Sequence, residues 1–136
     1  MRPTFESIYM GLAVNLAKRS TCARLQVGAV ITSIDFRYVY GLGYNGNAVG
    51  FKNACDSTEV GACGCLHAED NAVINCSVSS DVKKVVFCTH LPCVMCAKRL
   101  VNLRGVMRVY YLDEYRSTAA FKVFEEARIA FAKLTI

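Results

Sequence analysis

The spacing of apolar residues predicts a helix followed by a hairpin in the first third of the chain. Behind Thr4, a residue type that favours helix N-caps, apolar residues recur every three to four positions and predict an amphipathic helix over 4–19. We expect its apolar stripe to face the core. The stripe comprises Phe5, Ile8, Tyr9, Leu12 and Leu16. Two β-branched and aromatic runs, 27–34 and 38–44, flank a short polar turn and predict paired strands.

The remaining chain continues as alternating helices and strands after one long polar loop. The stretch 43–64 is rich in Gly and Asn and has no regular period, and loops of this length usually serve a function. Beyond it the pattern predicts helices over 67–76, 93–104 and 117–127, and strands over 84–89, 107–112 and 128–134. The order αββαβαβαβ predicts a three-layer α/β/α sandwich formed by a single domain over 1–136, with ligands bound near strand ends.

Composition narrows the class of protein. The chain has 136 residues, of which 54% are hydrophobic, and this excess of apolar residues predicts subunit contacts in a homo-oligomer. No apolar run approaches the length of about 18 residues needed for a membrane span, and the start lacks a signal-peptide pattern, so we expect a cytoplasmic protein. The net charge of +5 is spread along the chain. Its dispersal disfavours a nucleic-acid partner and is compatible with a small phosphorylated substrate.

Two short motifs contain the residues expected to carry chemistry. These are His67-Ala68-Glu69 and Pro92-Cys93-Val94-Met95-Cys96. One imidazole and two thiolates fill three of zinc's four tetrahedral positions and leave the fourth for water, as in catalytic zinc sites. The combined pattern is typical of zinc-dependent nucleobase deaminases, in which zinc lowers the pKa of its bound water to roughly 7. Glu69, two residues from the imidazole, is the expected general acid and base.

Both motifs open predicted helices, where the helix dipole and free amides favour thiolate over thiol. Two other interpretations use the same residues. His67, Cys93 and Cys96 can form a zinc knuckle without chemistry, with Glu69 an ordinary helix residue. A C-x-x-C pair also occurs in thioredoxin-like redox proteins, but such a pair needs neither the distant H-x-E nor the preceding Pro92.

The chain resembles the deoxycytidylate deaminases of the cytidine deaminase superfamily. The resemblance covers roughly 4–116 and runs through Cys-Ala-Arg-Leu-Gln-Val-Gly-Ala-Val at 22–30, Gly-Tyr-Asn-Gly at 43–46, His-Ala-Glu-Asp-Asn-Ala at 67–72 and Pro-Cys-Val-Met-Cys-Ala-Lys at 92–98. It implies hydrolysis of dCMP to dUMP and ammonia, on a mixed five-stranded sheet of the cytidine deaminase type. It also implies a hexamer switched on by dCTP and off by dTTP, with Mg2+ accompanying the regulatory triphosphate.

The same resemblance implies roles for further residues. Asn45, in a Gly-flanked turn, is expected to contact a sugar hydroxyl, or else is only a turn residue. Arg24 is expected to pair with the phosphate, or else is simply solvated. Tyr115 matches a tyrosine that closes over the substrate, although it equally suits an interface. Ala68 is expected at the substrate as well. The expected regulatory contacts are Gly43, Tyr44, Asn47 and Asn53.

A tRNA adenosine deaminase is the main alternative, because that family also uses Pro-Cys-Val-Met-Cys-Ala. The tRNA enzymes are less similar before H-x-E, and flipping a base out of a nucleic acid calls for a basic groove that the sequence does not indicate. A zinc-stabilised interaction module is a non-enzymatic third interpretation, favoured if a fourth protein ligand closes the metal site.

Four further cysteines suggest a second metal site. In a reducing compartment the eight cysteines of the chain are expected to be metal ligands and buried thiols rather than disulfides. Cys22, Cys55, Cys63 and Cys65 could close a structural zinc site that pins the loop, or could remain four reduced thiols. Some phage relatives hold a second zinc with Cys at the positions matching Cys22 and Cys55, together with a His and a Glu. Cys76 and Cys88, among apolar neighbours, are expected to be inert core thiols.

Overall fold

The computed structural model of the chain describes residues 1–57, 59, 62–115 and 117–136. Its elements, in chain order, are α1 (Phe5–Ala17), β1 (Gly28–Ser33), β2 (Val39–Tyr44), α2 (Ala68–Ile74), β3 (Lys84–His90), α3 (Val94–Leu103), β4 (Val106–Asp113), α4 (Ala119–Glu126) and β5 (Ala130–Lys133). This is the predicted order. Within the predicted loop 43–64, residues 58, 60 and 61 lie outside the described part. No described helix is both long and apolar enough to cross a bilayer.

The helices are shorter than predicted because residues expected inside them act as caps. Thr4 precedes α1, and its side chain accepts a hydrogen bond from the Ser7 amide at 3.1 Å. His67 and Cys93 occupy the cap positions of α2 and α3. A residue at an N-cap has extended backbone, so these two motif residues begin their helices without belonging to them.

The sheet is mixed and five-stranded, in the order β2-β1-β3-β4-β5. β1 runs antiparallel to both β2 and β3, whereas β3, β4 and β5 are parallel to one another. The register pairs Ala29 with Cys88, and His90 with Asp113. The start of β1 therefore lies beside the ends of β3 and β4, and loops from all three strands meet at one edge.

Helices cover both faces of the sheet, which confirms the predicted α/β/α sandwich. On one face Met10 and Ala13 of α1 cluster with Val30 and Phe87. On the other face the helices α2, α3 and α4 share a core with alternate residues of the same strands, such as Ile31 and Val86. Successive side chains of a strand point to opposite faces, so the alternating sets supply both layers.

The predicted core face of α1 is partly wrong. Phe5 and Ile8 are 50% and 49% exposed, and the fully covered side of the helix carries Met10, Ala13 and Ala17. The reason is close approach: a Cβ on Gly28 would stand 1.9 Å from the Ala13 carbonyl oxygen. Ala13 and Ala17 thus lie against Gly28, Met10 clusters with Val30 and Phe87, and Tyr9, Leu12 and Leu16 pack at the flanks.

Candidate active site

An open cavity of about 740 Å3 lies at the sheet edge where β1 begins and β3 and β4 end. Its walls come from five places in the sequence: the segment before β1, the end of β2, the approach to α2, the β3–α3 connection and the end of β4. The lining residues are Cys22, Arg24, Leu25, Val27, Asn45, Cys63, Gly64, Cys65, His67, Ala68, Glu69, His90, Leu91, Cys93, Glu114 and Tyr115. All four expected substrate contacts and Glu69 therefore share one cavity.

The predicted zinc ligands converge at this cavity, which His67 and Cys93 line. His67 Nδ1 lies 3.6 Å from Cys93 Sγ and 3.3 Å from Cys96 Sγ, and ligand atoms of the three residues all lie within 4.8 Å of one another. Zn–S and Zn–N bonds of ~2.3 and ~2.0 Å at a tetrahedral angle separate S from N by about 3.5 Å. The three residues present fit zinc, and no other His, Cys, Asp or Glu of the described chain joins their cluster.

Hydrogen bonds within this group favour the charged forms of Cys93 and His67 and the neutral thiol of Cys96. Hydrogen bonds, the stronger from Cys96 and a weaker one from His67, lower the pKa of the Cys93 thiol to about 3. Burial acts in the opposite direction. The same contact with Cys93 raises the pKa of His67, and both Cys93 and burial raise the pKa of Cys96. Zinc ligation requires a neutral imidazole and two thiolates, so binding must release protons from His67 and Cys96.

Glu69 is buried beside these ligands. Only 5% of it is exposed, and burial raises the pKa of its carboxyl to about 7, although the charge of His67 favours the ionised form. The thiol of Cys88 lies in the covered layer next to it, where burial and the negative charge of Glu69 raise the pKa of that thiol. A carboxyl that is half protonated near neutrality can both accept and donate a proton.

The position of α2, and hence of Glu69, depends on contacts with β2 that the sequence analysis missed. A Cβ on Gly43 would stand 2.2 Å from the Ala68 carbonyl oxygen, so only glycine allows this approach. The amides of Asn71 and Asn75 donate to the carbonyls of Tyr44 and Leu42, both at 2.9 Å. The sequence features that could have indicated these contacts were the Gly-x-Gly spacing in β2 and the four-residue spacing of the two asparagines.

An ion pair fixes α2 against α3. Arg99 Nε lies 3.1 Å from Asp70 Oδ1. Asp70 follows Glu69 directly, and Arg99 lies one turn beyond Cys96. The pair therefore links the two helices that carry the metal motifs, a role that the sequence analysis did not assign.

Arg24 and Asn45 differ in how firmly they are held. Arg24 is exposed at the rim, where its Nη1 donates to the Glu59 carbonyl at 3.4 Å. Asn45 is buried, and its side chain accepts from the Val27 amide at 2.8 Å and donates to the Leu25 carbonyl at 2.6 Å. These two bonds use one lone pair and one amide hydrogen of the Asn45 side chain. The other amide hydrogen and the second lone pair of its oxygen are left for the expected contact with a ligand.

The other cavity residues include two expected and two missed positions. Ala68 is fully buried at the start of α2, and Tyr115 is half-buried and packs against the core. His90 and Glu114 also line the cavity. His90 Nδ1 lies 3.3 Å from Thr89 Oγ1, and burial lowers the pKa of the imidazole. The sequence feature that could have indicated His90 was its place at the end of the predicted buried strand over 84–89.

The residues expected to contact a regulatory nucleotide lie outside this cavity. Gly43 is buried under α2, whereas Tyr44 is partly exposed beneath the Arg19 guanidinium, 5.9 Å from the ring centre. Asn47 donates to the Ala54 carbonyl at 3.2 Å and to Asp56 Oδ1 at 2.7 Å. Asn53 is exposed. Close packing against α2 thus accounts for a glycine at position 43, and hydrogen bonds within the loop account for an asparagine at position 47.

Cys22, Cys55, Cys63 and Cys65 form a second cluster, and three of them, Cys22, Cys63 and Cys65, line the same cavity. Their sulfurs all lie within 4.8 Å of one another, with Cys55 Sγ at 3.7 Å from Cys22 Sγ and 3.6 Å from Cys65 Sγ. Two sulfurs of a tetrahedral zinc thiolate are expected at about 3.8 Å. Burial raises the pKa of Cys22, but bonds from the Arg24 and Leu25 amides outweigh it and lower the pKa to about 7. Cys63, the fourth member, completes a donor set that suits zinc.

The two remaining cysteines lie apart from both clusters. Cys88 is fully buried in β3. Cys76 is half-buried just after α2 and packs against the same core. Their apolar surroundings agree with the expectation of core thiols.

Comparisons with known proteins place this arrangement among deaminases. The family described as "Cytidine and deoxycytidylate deaminase zinc-binding region" matches residues 3–113. The chain is 34% identical to ComE operon protein 2 of Bacillus subtilis, over 99% of this chain and 74% of that protein. It is 32% identical to the deoxycytidylate deaminase of Mycobacterium phage D29, over 83% of this chain and 98% of that one.

Solved structures agree with this placement. The dCMP deaminase of cyanophage S-TIM5, in complex with dCMP and dUMP, matches with a TM-score of 0.86 and 34% identity over 98% of this chain and 99% of that chain. A structure from a study of tRNA:A34 deaminases matches with a TM-score of 0.64 but only 18% identity, and so shares the fold alone.

Proposed function

Because the chain belongs to the cytidine and deoxycytidylate deaminase family, we propose that it hydrolyses dCMP to dUMP with release of ammonia. The observation that carries the proposal is the convergence of His67, Cys93 and Cys96 beside the buried Glu69, in a cavity with Arg24 at its rim. The similar phage enzyme named for dCMP covers almost the whole chain, which supports the choice of substrate.

The chemistry divides between the metal and Glu69. A zinc ion would be held by His67, Cys93 and Cys96 and would supply an acidified water as the nucleophile at neutral pH. Glu69 accepts a proton from this water and delivers it to the ring nitrogen next to the attacked carbon. A second transfer through the same carboxyl brings the hydroxyl proton to the amino group, which leaves as ammonia, and the carbonyl of dUMP forms. Burial of Glu69 raises the pKa of its carboxyl, which favours its part as a proton donor as well as an acceptor.

Substrate contacts follow from the positions of the cavity walls. Arg24 reads the phosphate from the rim, since its guanidinium is a charge-assisted donor. Asn45 offers its remaining amide hydrogen to a sugar hydroxyl, and Ala68 presents its backbone at the base. Tyr115, on the opposite wall, packs over the sugar. Each assignment requires a monophosphate to span the cavity from Arg24 to Glu69.

One assay tests the activity. Ammonia release is measured side by side from dCMP, CMP, deoxycytidine, cytidine and an adenosine-containing tRNA hairpin. We expect dCMP to give the highest kcat/KM and the hairpin to give no product. Equal rates on dCMP and deoxycytidine would contradict phosphate recognition. Inosine formation in the hairpin with no action on cytosine nucleotides would instead favour the tRNA alternative.

We also propose that Cys22, Cys55, Cys63 and Cys65 hold a second, structural zinc ion. Sulfur spacings near those of a zinc thiolate support this proposal. The two sites together use seven cysteine and histidine ligands, and their cysteines must stay reduced to bind metal. A reducing compartment such as the cytoplasm would keep them in that state.

Assembly and regulation form a separate proposal. We propose a homo-oligomer, of hexamer size, regulated by dCTP and dTTP with Mg2+. Exposed apolar residues on β2 and α2, including Leu42 and Ile74, offer a surface for subunit contacts. Tyr44 and Asn53 are accessible for a nucleotide contact beside it. Sedimentation with and without each triphosphate measures the size, and a monomer under all conditions would contradict the proposal.

A further inference from the structure

The four-cysteine cluster joins two chain segments that both line the cavity, the segment before β1 and the approach to α2. Cys22 lies two residues before Arg24, and Cys65 lies two residues before His67. All four of these residues line the same cavity. A constraint between Cys22 and Cys65 therefore constrains the distance between the expected phosphate contact Arg24 and the expected metal ligand His67.

Cys55 is the member that bridges the two segments. Its Sγ lies 3.7 Å from Cys22 Sγ on one side and 3.6 Å from Cys65 Sγ on the other. It also accepts a hydrogen bond from the amide of Ala23 at 3.3 Å. Cys55 thus contacts the two residues that precede Arg24, namely the backbone amide of Ala23 and the sulfur of Cys22.

The segment that carries Arg24 has few other ties to the loop. It lies between the end of α1 and the start of β1, outside the helices and strands. Asn45 anchors the next residue, Leu25, from below. The guanidinium of Arg24 makes one described hydrogen bond, a long one of 3.4 Å to the Glu59 carbonyl. Loss of the Cys55 contacts would therefore free the segment 22–24, including the local bond from the Arg24 amide to Cys22 Sγ, to move relative to the loop while Leu25 stays in place.

We infer that the four-cysteine cluster is a positioning centre for phosphate recognition: through Cys55 it holds Arg24 at a fixed place over the cavity. The inference rests on the proposed function, since it assigns to the cluster a part in recognising the nucleotide monophosphate. Cys55 touches neither substrate nor the reacting atoms and acts through Arg24.

Binding of the product separates this role from a purely structural one. The Kd values of dUMP and deoxyuridine are measured for the zinc-loaded wild type and for Cys55→Ser. We expect the Kd of dUMP to rise about tenfold or more, the size of a lost charge-assisted contact, and that of deoxyuridine to change less than about twofold. Cys55→His, which keeps a zinc ligand, should restore most of the dUMP affinity, and Cys76→Ser is the matched control for loss of a half-buried thiol.

A double-mutant cycle tests whether Cys55 acts through Arg24. If it does, Arg24→Ala combined with Cys55→Ser should bind dUMP as weakly as Arg24→Ala alone, because the second change removes nothing further. Amide hydrogen exchange of residues 22–25 gives a readout without ligand: it should accelerate in Cys55→Ser and stay unchanged in Cys76→Ser.

The failures of the two proposals look different. The positioning role would be overturned if the losses of dUMP affinity in Arg24→Ala and Cys55→Ser multiplied in the double variant. It would also be overturned if Cys55→Ser lost dUMP and deoxyuridine affinity equally. Neither result would contradict the proposed deaminase activity. Unchanged exchange of residues 22–25 would likewise overturn the positioning role alone. A wild-type chain that releases no ammonia from any cytosine nucleotide and binds no dUMP would overturn the proposed function and, with it, this inference.

Discussion

At the scale of single residues, burial determines what Glu69 can do. An exposed glutamate is ionised at neutral pH and is a poor proton donor, whereas the covered carboxyl of Glu69 has a pKa of about 7. His67 and Cys93 lie close enough to influence this value by their charges. The same packing that places Glu69 beside the metal ligands therefore also tunes its proton affinity.

Replacing Glu69 by glutamine removes the proton carrier and keeps the shape. We expect Glu69→Gln to lower kcat for dCMP by at least about 100-fold, the usual size of a general acid-base contribution, and to retain zinc and dUMP binding. Steady-state kinetics, elemental analysis and titration with dUMP measure the three quantities. Glu114→Gln is the matched control, since Glu114 lines the same cavity but is exposed. A Glu69→Gln enzyme with most of its activity would overturn the mechanism.

Asn45 shows which residue roles local sequence can predict. The metal ligands were predictable because their spacing is local: His67 and Glu69 lie in one tripeptide, and Cys93 and Cys96 in one helical turn. The partners of Asn45 are the backbone groups of Leu25 and Val27, about twenty positions away. No local pattern indicates such a bond, so the sequence indicated a turn and a ligand contact but not the structural anchor.

The anchoring role of Asn45 predicts a loss of stability. Asn45→Ala leaves the Val27 amide and the Leu25 carbonyl without their partner, and we expect the free energy of unfolding to fall by about 1–3 kcal/mol. Urea titration followed by fluorescence or circular dichroism measures it. Asn75→Ala is the control, because Asn75 is exposed and also bonds a backbone carbonyl. If both variants unfold like the wild type and only KM changes, Asn45 acts solely on the substrate.

At the scale of elements, periodicity predicted the order of helices and strands but not which side of a helix meets the sheet. The stripe from Phe5 to Leu16 is the more hydrophobic side of α1, yet Met10, Ala13 and Ala17 face the strands. A row of small residues lets the helix lie close to Gly28. Hydrophobicity ranks side chains by transfer free energy, whereas close packing also selects them by size.

The contact between α2 and β2 likewise depends on a glycine at a point of close approach, and a larger residue there should clash with α2. A Cβ on Gly43 would meet the Ala68 carbonyl oxygen at 2.2 Å and the Ala72 amide at 2.5 Å, and backbone atoms cannot move independently of α2. We therefore expect Gly43→Ala to lower the free energy of unfolding by about 1–3 kcal/mol. It should also lower kcat, because Ala68 lies between His67 and Glu69.

Gly11→Ala is the matched control for this substitution. Gly11 lies within α1, and a Cβ there would meet nothing within 4 Å. Alanine has the higher helix propensity, so this variant should gain up to about 1 kcal/mol of stability. Chemical denaturation of both variants, together with kcat for dCMP, provides the comparison. Equal stability of the Gly43→Ala and wild-type chains would show that α2 can shift without cost.

At the scale of the whole molecule, the candidate site depends on strand order, which the sequence alone did not define. The alternation of elements predicted three layers, and the resemblance implied a mixed five-stranded sheet. Only the register shows that the start of β1 lies beside the ends of β3 and β4. That register brings Arg24, His90 and Tyr115 to one cavity from positions far apart in the chain. His90 was missed for this reason: its neighbours in space are remote in sequence.

Two clusters of metal ligands in one 136-residue chain predict two zinc ions of different roles. We expect elemental analysis of the purified chain to give two zinc ions per chain after dialysis against a weak chelator. Cys93→Ser should lose one zinc and the activity, since it removes a ligand of the site beside Glu69. Cys63→Ser should lose the other zinc and unfold at a lower temperature, because a closed thiolate site contributes folding free energy, while retaining measurable turnover in the cold. Cys76→Ser, whose thiol belongs to neither cluster, should keep both ions. A wild-type chain with one zinc, unaffected by Cys63→Ser, would leave the loop cysteines as thiols held together by packing and hydrogen bonds alone.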